Sequence, residues 1–158
     1  MKLKGKTISR PKPKVVIIPR PDDEDLVFQV DPSGDQKDFE AMCPTPSPTR
    51  VMKPGGLEYF DYDDPVYKSA VEKHNNLLFA WTIINALKAT PGLEWESVKY
   101  DDPSTWELYR EELLSSGMVI KEVNQLVKEI VEANVITDEQ VKEARDRFFF
   151  FTPEMGKG

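Results

Sequence analysis

Proline is concentrated in one part of this chain of 158 residues, and its distribution limits where regular structure can form. Nine of the 13 prolines lie within residues 1–54. Proline lacks a backbone N–H donor and keeps its predecessor out of the helical region. We therefore expect this third of the chain to be extended and interrupted by turns, and the proline-poor remainder to be mainly helical.

Three short stretches of the first third have the composition of strands. Val15-Val16-Ile17-Ile18 is a β-branched run, and such residues pack well on a pleated sheet. The predicted strands cover residues 2–9, 14–18 and 25–30. We expect them to form one small antiparallel sheet, followed by a single helical turn at residues 38–42. Together these elements predict a β-rich unit over residues 1–42.

A proline-rich segment follows this unit. Each proline in Cys43-Pro44-Thr45-Pro46-Ser47-Pro48 restrains the residue before it to extended conformations. Pro54-Gly55-Gly56 is typical of a turn. We interpret residues 43–60 as a surface linker, and a polyproline ligand for another protein is the alternative interpretation.

Helix signals dominate the rest of the chain. Asp64-Pro65 and Asp102-Pro103 each place a capping carboxylate before a proline at the first helical position. Thr137 and Gln140 have the spacing of a capping box. Apolar residues recur at helical spacing in four segments, represented by Tyr67 to Ile84, Trp106 to Leu113, Ile120 to Val131, and Val141 to Phe151.

These signals predict an α+β protein that is mainly α. The helical part, residues 61–152, is expected to form a bundle of about four helices. Because it contains all three tryptophans and the capped helices, it is expected to fold without the N-terminal third. Residues 153–158 are predicted to be a disordered tail.

Charge is distributed as unevenly as proline. Residues 1–20 contain seven Lys or Arg and no acid, and residues 1–54 contain ten basic and eight acidic residues. The net charge of the whole chain is −7, so residues 55–158 carry −9. Such an acidic surface disfavours nucleic acid as a partner. The chain also lacks an apolar run of membrane-spanning length, so no membrane partner is expected.

No combination of residues indicates a catalytic centre. His74 is the only histidine and Cys43 the only cysteine, so no tetrahedral zinc set can form within the chain. The spacing of His74 places it on the buried side of a helix. The acidic run at residues 61–64 is explained by helix capping, and the one at 22–25 by a solvated turn. We expect no catalytic, cofactor-binding or metal-binding residues, and a lone cysteine suits a reducing cytoplasm.

Aromatic residues are the clearest signal of binding to another protein. Phe148, Phe149, Phe150 and Phe151 are consecutive, and four consecutive helical positions cover about 300° of the helix surface. They cannot all face one core, so one or two rings should be exposed. Trp95 and Trp106 flank a loop and are further candidates for a protein-binding surface. Trp81 is expected in the core.

Motifs spread along the chain resemble those of the tail assembly chaperones of long-tailed bacteriophages. The first part of the similarity lies in Leu3-Lys4-Gly5-Lys6 and in residues 38–46. The second part is helical: Asp101-Asp102-Pro103-Ser104-Thr105-Trp106, Glu111-Glu112-Leu113 with Gly117, Val123-Asn124-Gln125-Leu126, Glu132-Ala133-Asn134, and Glu143-Ala144-Arg145-Asp146-Arg147-Phe148. These motifs are structural rather than catalytic.

The resemblance implies a non-enzymatic role in the cytoplasm of an infected bacterium. A protein of this family coats the tape measure protein, helps to recruit tail tube subunits, is commonly oligomeric and is absent from the mature virion. Such proteins are also made in a longer form by ribosomal frameshifting, and uridine-rich codons for Phe148 to Phe151 would suit that event. The alternative hypothesis is a structural head–tail connector or tail completion protein that stays in the virion.

Overall fold

The computed structural model describes residues 1–32 and 34–151. Its composition, about 46% helix and 15% strand, confirms the α+β class with helix predominant. The strands are β1 (Lys2–Leu3), β2 (Lys6–Thr7), β3 (Lys14–Ile18), β4 (Leu26–Val30), β5 (Thr49–Met52) and β6 (Glu58–Asp61). The helices are α1 (Lys37–Met42), α2 (Pro65–Leu87), a 3-10 helix (Pro103–Leu108), α3 (Tyr109–Ser115), α4 (Ile120–Ala133) and α5 (Asp138–Phe151).

The strands form three separate antiparallel pairs rather than the single sheet that was expected. The predicted strand at residues 2–9 is instead a hairpin of β1 and β2. Its turn uses Lys4 and Gly5, which have positive φ angles of 50° and 75°. Glycine adopts this region without steric cost, so the Lys4-Gly5 pair reverses the chain where an uninterrupted strand was predicted.

The pair of β3 and β4 supplies one wall of the protein. In its register Val16 lies opposite Phe28 and Ile18 opposite Leu26. Alternate side chains of each strand point to opposite faces. One face is therefore buried, represented by Val16, Ile18, Phe28 and Val30, whereas Val15, Ile17 and Val27 on the other face remain more than half exposed.

A second hairpin lies inside the segment that was predicted to be a linker. β5 and β6 pair from Thr49 opposite Asp61 to Met52 opposite Glu58. The Pro54-Gly55-Gly56 turn connects them, with φ angles of 97° at Gly55 and 82° at Gly56. Two glycines in this region allow a tight reversal. The linker interpretation is therefore wrong for this half, while residues 44–48 have no regular secondary structure.

The predicted helix starts at the two Asp-Pro pairs are confirmed. Asp64 occupies the cap position of α2 without a side-chain capping hydrogen bond, and its carboxylate instead accepts a hydrogen bond from the Thr49 hydroxyl at 2.7 Å. Asp102 caps the 3-10 helix by accepting the Ser104 N–H at 3.1 Å. The structure differs from the prediction in that 3-10 geometry precedes α3.

The strands and the helices share one hydrophobic core. Trp106 is completely buried at its centre, and its ring lies 4.8 Å from that of Trp81 and 6.0 Å from that of Phe39. Val16 and Phe28 from the strands belong to the same cluster. The proposed division at residues 42 and 60 remains a prediction, but these contacts argue against independent folding of the helical part.

The expected bundle of about four helices is wrong in one respect. α2, α3 and α4 contribute buried side chains to the core, whereas residues 138–150 of α5 are all exposed. The core is completed without α5, since α1 and the 3-10 helix also contribute Phe39 and Trp106 to it, and α5 presents both of its faces to solvent. The predicted tail, residues 153–158, lies outside the described residues.

Candidate protein-binding site

An exposed apolar surface of the helical part lies on α5. This helix begins with a reciprocal capping box, as the sequence predicts. The Thr137 N–H donates to Oε1 of Gln140 at 3.0 Å, and the Gln140 N–H donates to Oγ1 of Thr137 at 3.2 Å. The box satisfies two N–H groups that a helix start otherwise leaves without partners. Local capping thus helps to form a helix that gains nothing from burial in the core.

One side of α5 is apolar along its length. Val141, Ala144 and Phe148 follow the three- and four-residue spacing of a helical stripe. Together with Ile136 and Phe149 they line a shallow apolar hollow of about 510 Å³. The exposed fraction is 83% for Ile136 and 47% for Phe148. An apolar stripe with this exposure is a surface that another helix or sheet can cover.

The phenylalanine run extends this surface around the helix. Phe149 is 55% exposed and Phe150 77% exposed, which confirms the expectation that some rings face solvent. Phe148 and Phe149 contact each other edge to face, with ring centroids 5.3 Å apart. The side chain of Phe151 lies outside the described part of the chain. The assignment of this run to protein binding stays a prediction.

The two tryptophan candidates occupy different environments from the phenylalanines. Trp106 is fully buried, so the folded protein cannot use it as a contact residue, and the prediction is corrected on this point. Its Nε1 donates to the carbonyl oxygen of Lys99 at 3.0 Å. Trp95 is partly buried against the core, and its Nε1 donates to the Tyr100 hydroxyl at 3.1 Å. The side chain of Trp95 is therefore only partly available to a partner.

The loop that carries Trp95 is held to α3 by one carboxylate. Glu112 accepts the backbone N–H groups of Glu96, Ser97 and Val98, the second at 2.9 Å. Burial raises the pKa of the Tyr100 hydroxyl, while its hydrogen bond from Trp95 acts in the opposite direction. Trp95 is thus part of a fixed loop rather than of the surface formed by α5.

Sequence reasoning missed a second group of exposed aromatic residues. Tyr59 and Phe60 on β6 are 42% and 49% exposed. The Arg50 guanidinium lies 5.6 Å from the centre of the Phe60 ring, and the Lys53 ammonium 4.8 Å from that of Tyr59. The β-branched and aromatic residues on both sides of Pro54-Gly55-Gly56 were the available signal for this hairpin. The cations already cover part of both rings, so α5 remains the stronger candidate.

The residues considered for catalysis are not assembled into a site. His74 is partly buried, and its ring meets Phe39 edge to face at 5.2 Å. Burial raises the pKa of the Cys43 thiol, which keeps the thiol protonated. Across residues 1–32 and 34–151, no group of three or more His, Cys, Asp or Glu side chains is placed to hold a metal ion.

A helix that spans a membrane must be long and predominantly apolar. Among the helices in residues 1–32 and 34–151, none combines the length and the apolar character that crossing a bilayer requires.

Comparisons of the chain with protein-family models, with curated proteins and with solved structures find no match.

Proposed function

We propose that this chain is a non-enzymatic tail assembly chaperone of a long-tailed bacteriophage, which binds the tape measure protein. The observation that carries the proposal is α5, a capped helix with a continuous apolar stripe and no buried residue among positions 138–150. Contact of this apolar surface with water is unfavourable, and a partner that covers it gains free energy of binding. A protein that functions by covering another chain needs such a surface.

The chemistry of a tape measure protein suits this surface. A long helical protein has apolar stripes that must be covered before assembly, and an amphipathic helix can pack along them by helix-in-groove contacts. The phenylalanine rings widen the surface that α5 offers, since Phe149 and Phe150 extend around the helix from the stripe. The net charge of −9 outside the first third would help to keep the complex dispersed.

Recruitment of tail tube subunits, homo-oligomer formation and release before the virion matures also belong to the proposal. They rest on the sequence resemblance. The alternative is a structural connector or tail completion protein. Mass spectrometry of purified particles distinguishes the two, because a chaperone is expected to be absent from the particles and a structural component to be present in several copies.

Co-expression with the tape measure protein of the same phage tests the binding surface. We expect the soluble fraction of the tape measure protein to rise with the wild type and to fall when Phe148 to Phe151 are replaced by Ser. The matched control is Tyr59→Ser with Phe60→Ser, which removes exposed rings on the β5–β6 hairpin. Equal activity of the Phe148–Phe151 variant and the wild type would exclude this run as the interface.

A further inference from the structure

A cleft of about 820 Å³ lies between the start of β3 and the junction of α4 with α5. Its lining includes Pro11 and Lys14, before and at the start of β3, and Glu139 and Glu143 on α5. It also includes Val135 and Ile136, which are 51% and 83% exposed. The cleft therefore combines an exposed apolar surface with carboxylates.

The negative charge of this cleft is not neutralised within the described chain. Glu139 and Glu143, one helical turn apart on α5, form no ion pair with any described residue. Glu132 reaches only the Lys128 ammonium, at 4.0 Å. The amine of Lys14 is directed elsewhere, since it binds the Glu129 carboxylate at 2.7 Å. A basic segment entering the cleft would find carboxylates without partners.

The N-terminal arm, residues 1–13, has the complementary character. It contains no acidic residue, and among the described residues none of its cations forms an ion pair; they are Lys2, Lys4, Lys6, Arg10 and Lys12. Every residue of the arm is exposed, including Met1 at 98%, Leu3 at 64% and Ile8 at 55%. Cations and apolar side chains thus alternate along a segment that buries none of them.

We propose that this cleft is the docking site for the N-terminal arm of a second copy of the chain. Lysines of the arm would face Glu139 and Glu143, while Leu3 would cover the exposed Ile136. Charge complementarity of this kind fixes the register of partners and speeds their association. The proposal gives a structural basis for the homo-oligomer formation that is part of the proposed function, but it can fail separately, because it uses neither the phenylalanine run nor the tape measure protein.

The geometry favours exchange between copies over insertion of an arm into its own cleft. Pro11 and Pro13 keep Arg10 and Lys12 out of the helical region, so the stretch that joins the β1–β2 hairpin to the body is extended. Pro11 itself lines the cleft, and the arm therefore starts at the rim of the site. Two copies related by a twofold axis, cleft facing cleft, can each insert an arm into the other. Such an exchange closes as a dimer rather than growing into a filament.

Analytical ultracentrifugation of the full chain tests the pairing. We expect a dimer at roughly 50 mM salt whose dissociation constant rises about tenfold or more at roughly 0.5 M salt, because salt screens exposed charges. Two charge-reversal variants are compared. The arm variant carries Lys2→Glu, Lys4→Glu and Lys6→Glu, and the cleft variant carries Glu139→Lys and Glu143→Lys. Each alone should be monomeric at concentrations where the wild type is dimeric.

Mixing the two variants provides the decisive measurement. The acidic arm of one variant then meets the basic cleft of the other, and the unmodified groups also match, so a heterodimer should form. The control variant carries Lys37→Glu, Lys99→Glu and Lys121→Glu, which changes the net charge by the same amount as the arm variant at exposed positions elsewhere. It should dimerise like the wild type. Circular dichroism checks that each variant is folded, as expected for exposed positions.

Three results would overturn the proposal. The first is a wild-type chain that stays monomeric at low salt up to a concentration of about 100 μM, a weak affinity for two copies of a chain. The second is an arm variant that dimerises as tightly as the wild type. The third is a mixture that remains monomeric although each variant has lost its own dimer. If the wild type is monomeric and binds a single-stranded DNA probe, the basic arm binds polyanions rather than the cleft, and the proposal is wrong.

Discussion

Arg20 and Glu122 form a two-point ion pair between the segment after β3 and the first turn of α4. Nε of Arg20 donates to Oε2 of Glu122 at 2.9 Å, and Nη2 donates to Oε1 at 2.8 Å. The same Nη2 donates to the carbonyl oxygen of Gly117 at 2.9 Å. Oε1 of Glu122 also accepts the Val119 N–H at 2.9 Å. The carboxylate of Glu122 thus helps to cap the N-terminus of α4 and also links this helix to the β3–β4 pair.

This pair predicts a pH dependence of stability. The hydrogen bonds that Glu122 accepts from Arg20 and, to a lesser extent, from the Val119 N–H lower the pKa of Glu122 from 4.5 to about 2. Because the pKa is lower in the folded state, the stabilisation is complete above pH 4.5 and is lost as the pH falls towards 2. Glu122→Gln should lower the melting temperature by a few degrees at pH 7 and by progressively less between pH 4.5 and 2.

The exposed pair of Arg50 and Glu58, 3.8 Å apart, is the control for this experiment. Exposed ion pairs contribute little to stability, so Glu58→Gln should leave the melting temperature almost unchanged at every pH. Thermal melts of the wild type and both variants at several pH values provide the comparison. Equal effects of the two substitutions at pH 7 would contradict the role assigned to Arg20 and Glu122.

Trp81 provides a test of the core. Its side chain is only 2% exposed and packs against Trp106. Trp81→Ala removes a large buried side chain and should reduce the free energy of unfolding by about 3–5 kcal/mol, as measured by urea denaturation. Trp95→Ala is the comparison, and its effect should be smaller because Trp95 is only partly buried. A loss below about 1 kcal/mol for Trp81→Ala would place this residue outside the core.

The shared core predicts the behaviour of a fragment of residues 61–152. The sequence alone favoured independent folding, but this fragment lacks Val16, Phe28 and Phe39, which pack in the core with Trp106. We now expect it to unfold at a much lower temperature than the full chain, or without cooperativity. Removal of residues 137–158 is the control, since none of the described side chains in that range is buried. A cooperative melt of the fragment near that of the full chain would support separate domains.

The capping box of α5 can be tested without disturbing the core. Thr137→Ala removes the hydroxyl that accepts the Gln140 N–H, and loss of such a cap costs about 1 kcal/mol of helix stability. Hydrogen exchange of the amides in residues 141–150 should become faster, whereas the global melting temperature should not change. A clear decrease in that temperature would mean that α5 packs against the rest of the protein in solution.

Local features of the sequence were sufficient to predict most helix starts. Asp64-Pro65, Asp102-Pro103 and the Thr137–Gln140 box act within one turn of the chain, so their consequences do not depend on distant contacts. The same holds for the exposed rings of the phenylalanine run, because the angular spacing of helical positions prevents all four from facing one core. These predictions are confirmed in the structure.

Other features depended on contacts between residues far apart in the sequence. Trp106 has the same local signal as an exposed aromatic residue beside a loop, and only its packing against Trp81 and Phe39 makes it a core residue. In the same way, the stripe of α5 resembles the stripes of α2 and α4, which are buried. Helical periodicity shows that an apolar face exists but not which partner covers it, since hydrophobic burial has no direction of its own. The sequence alone therefore determined that α5 is an amphipathic helix, and only the tertiary structure decided that its apolar face remains exposed, because the other elements fill the core without it.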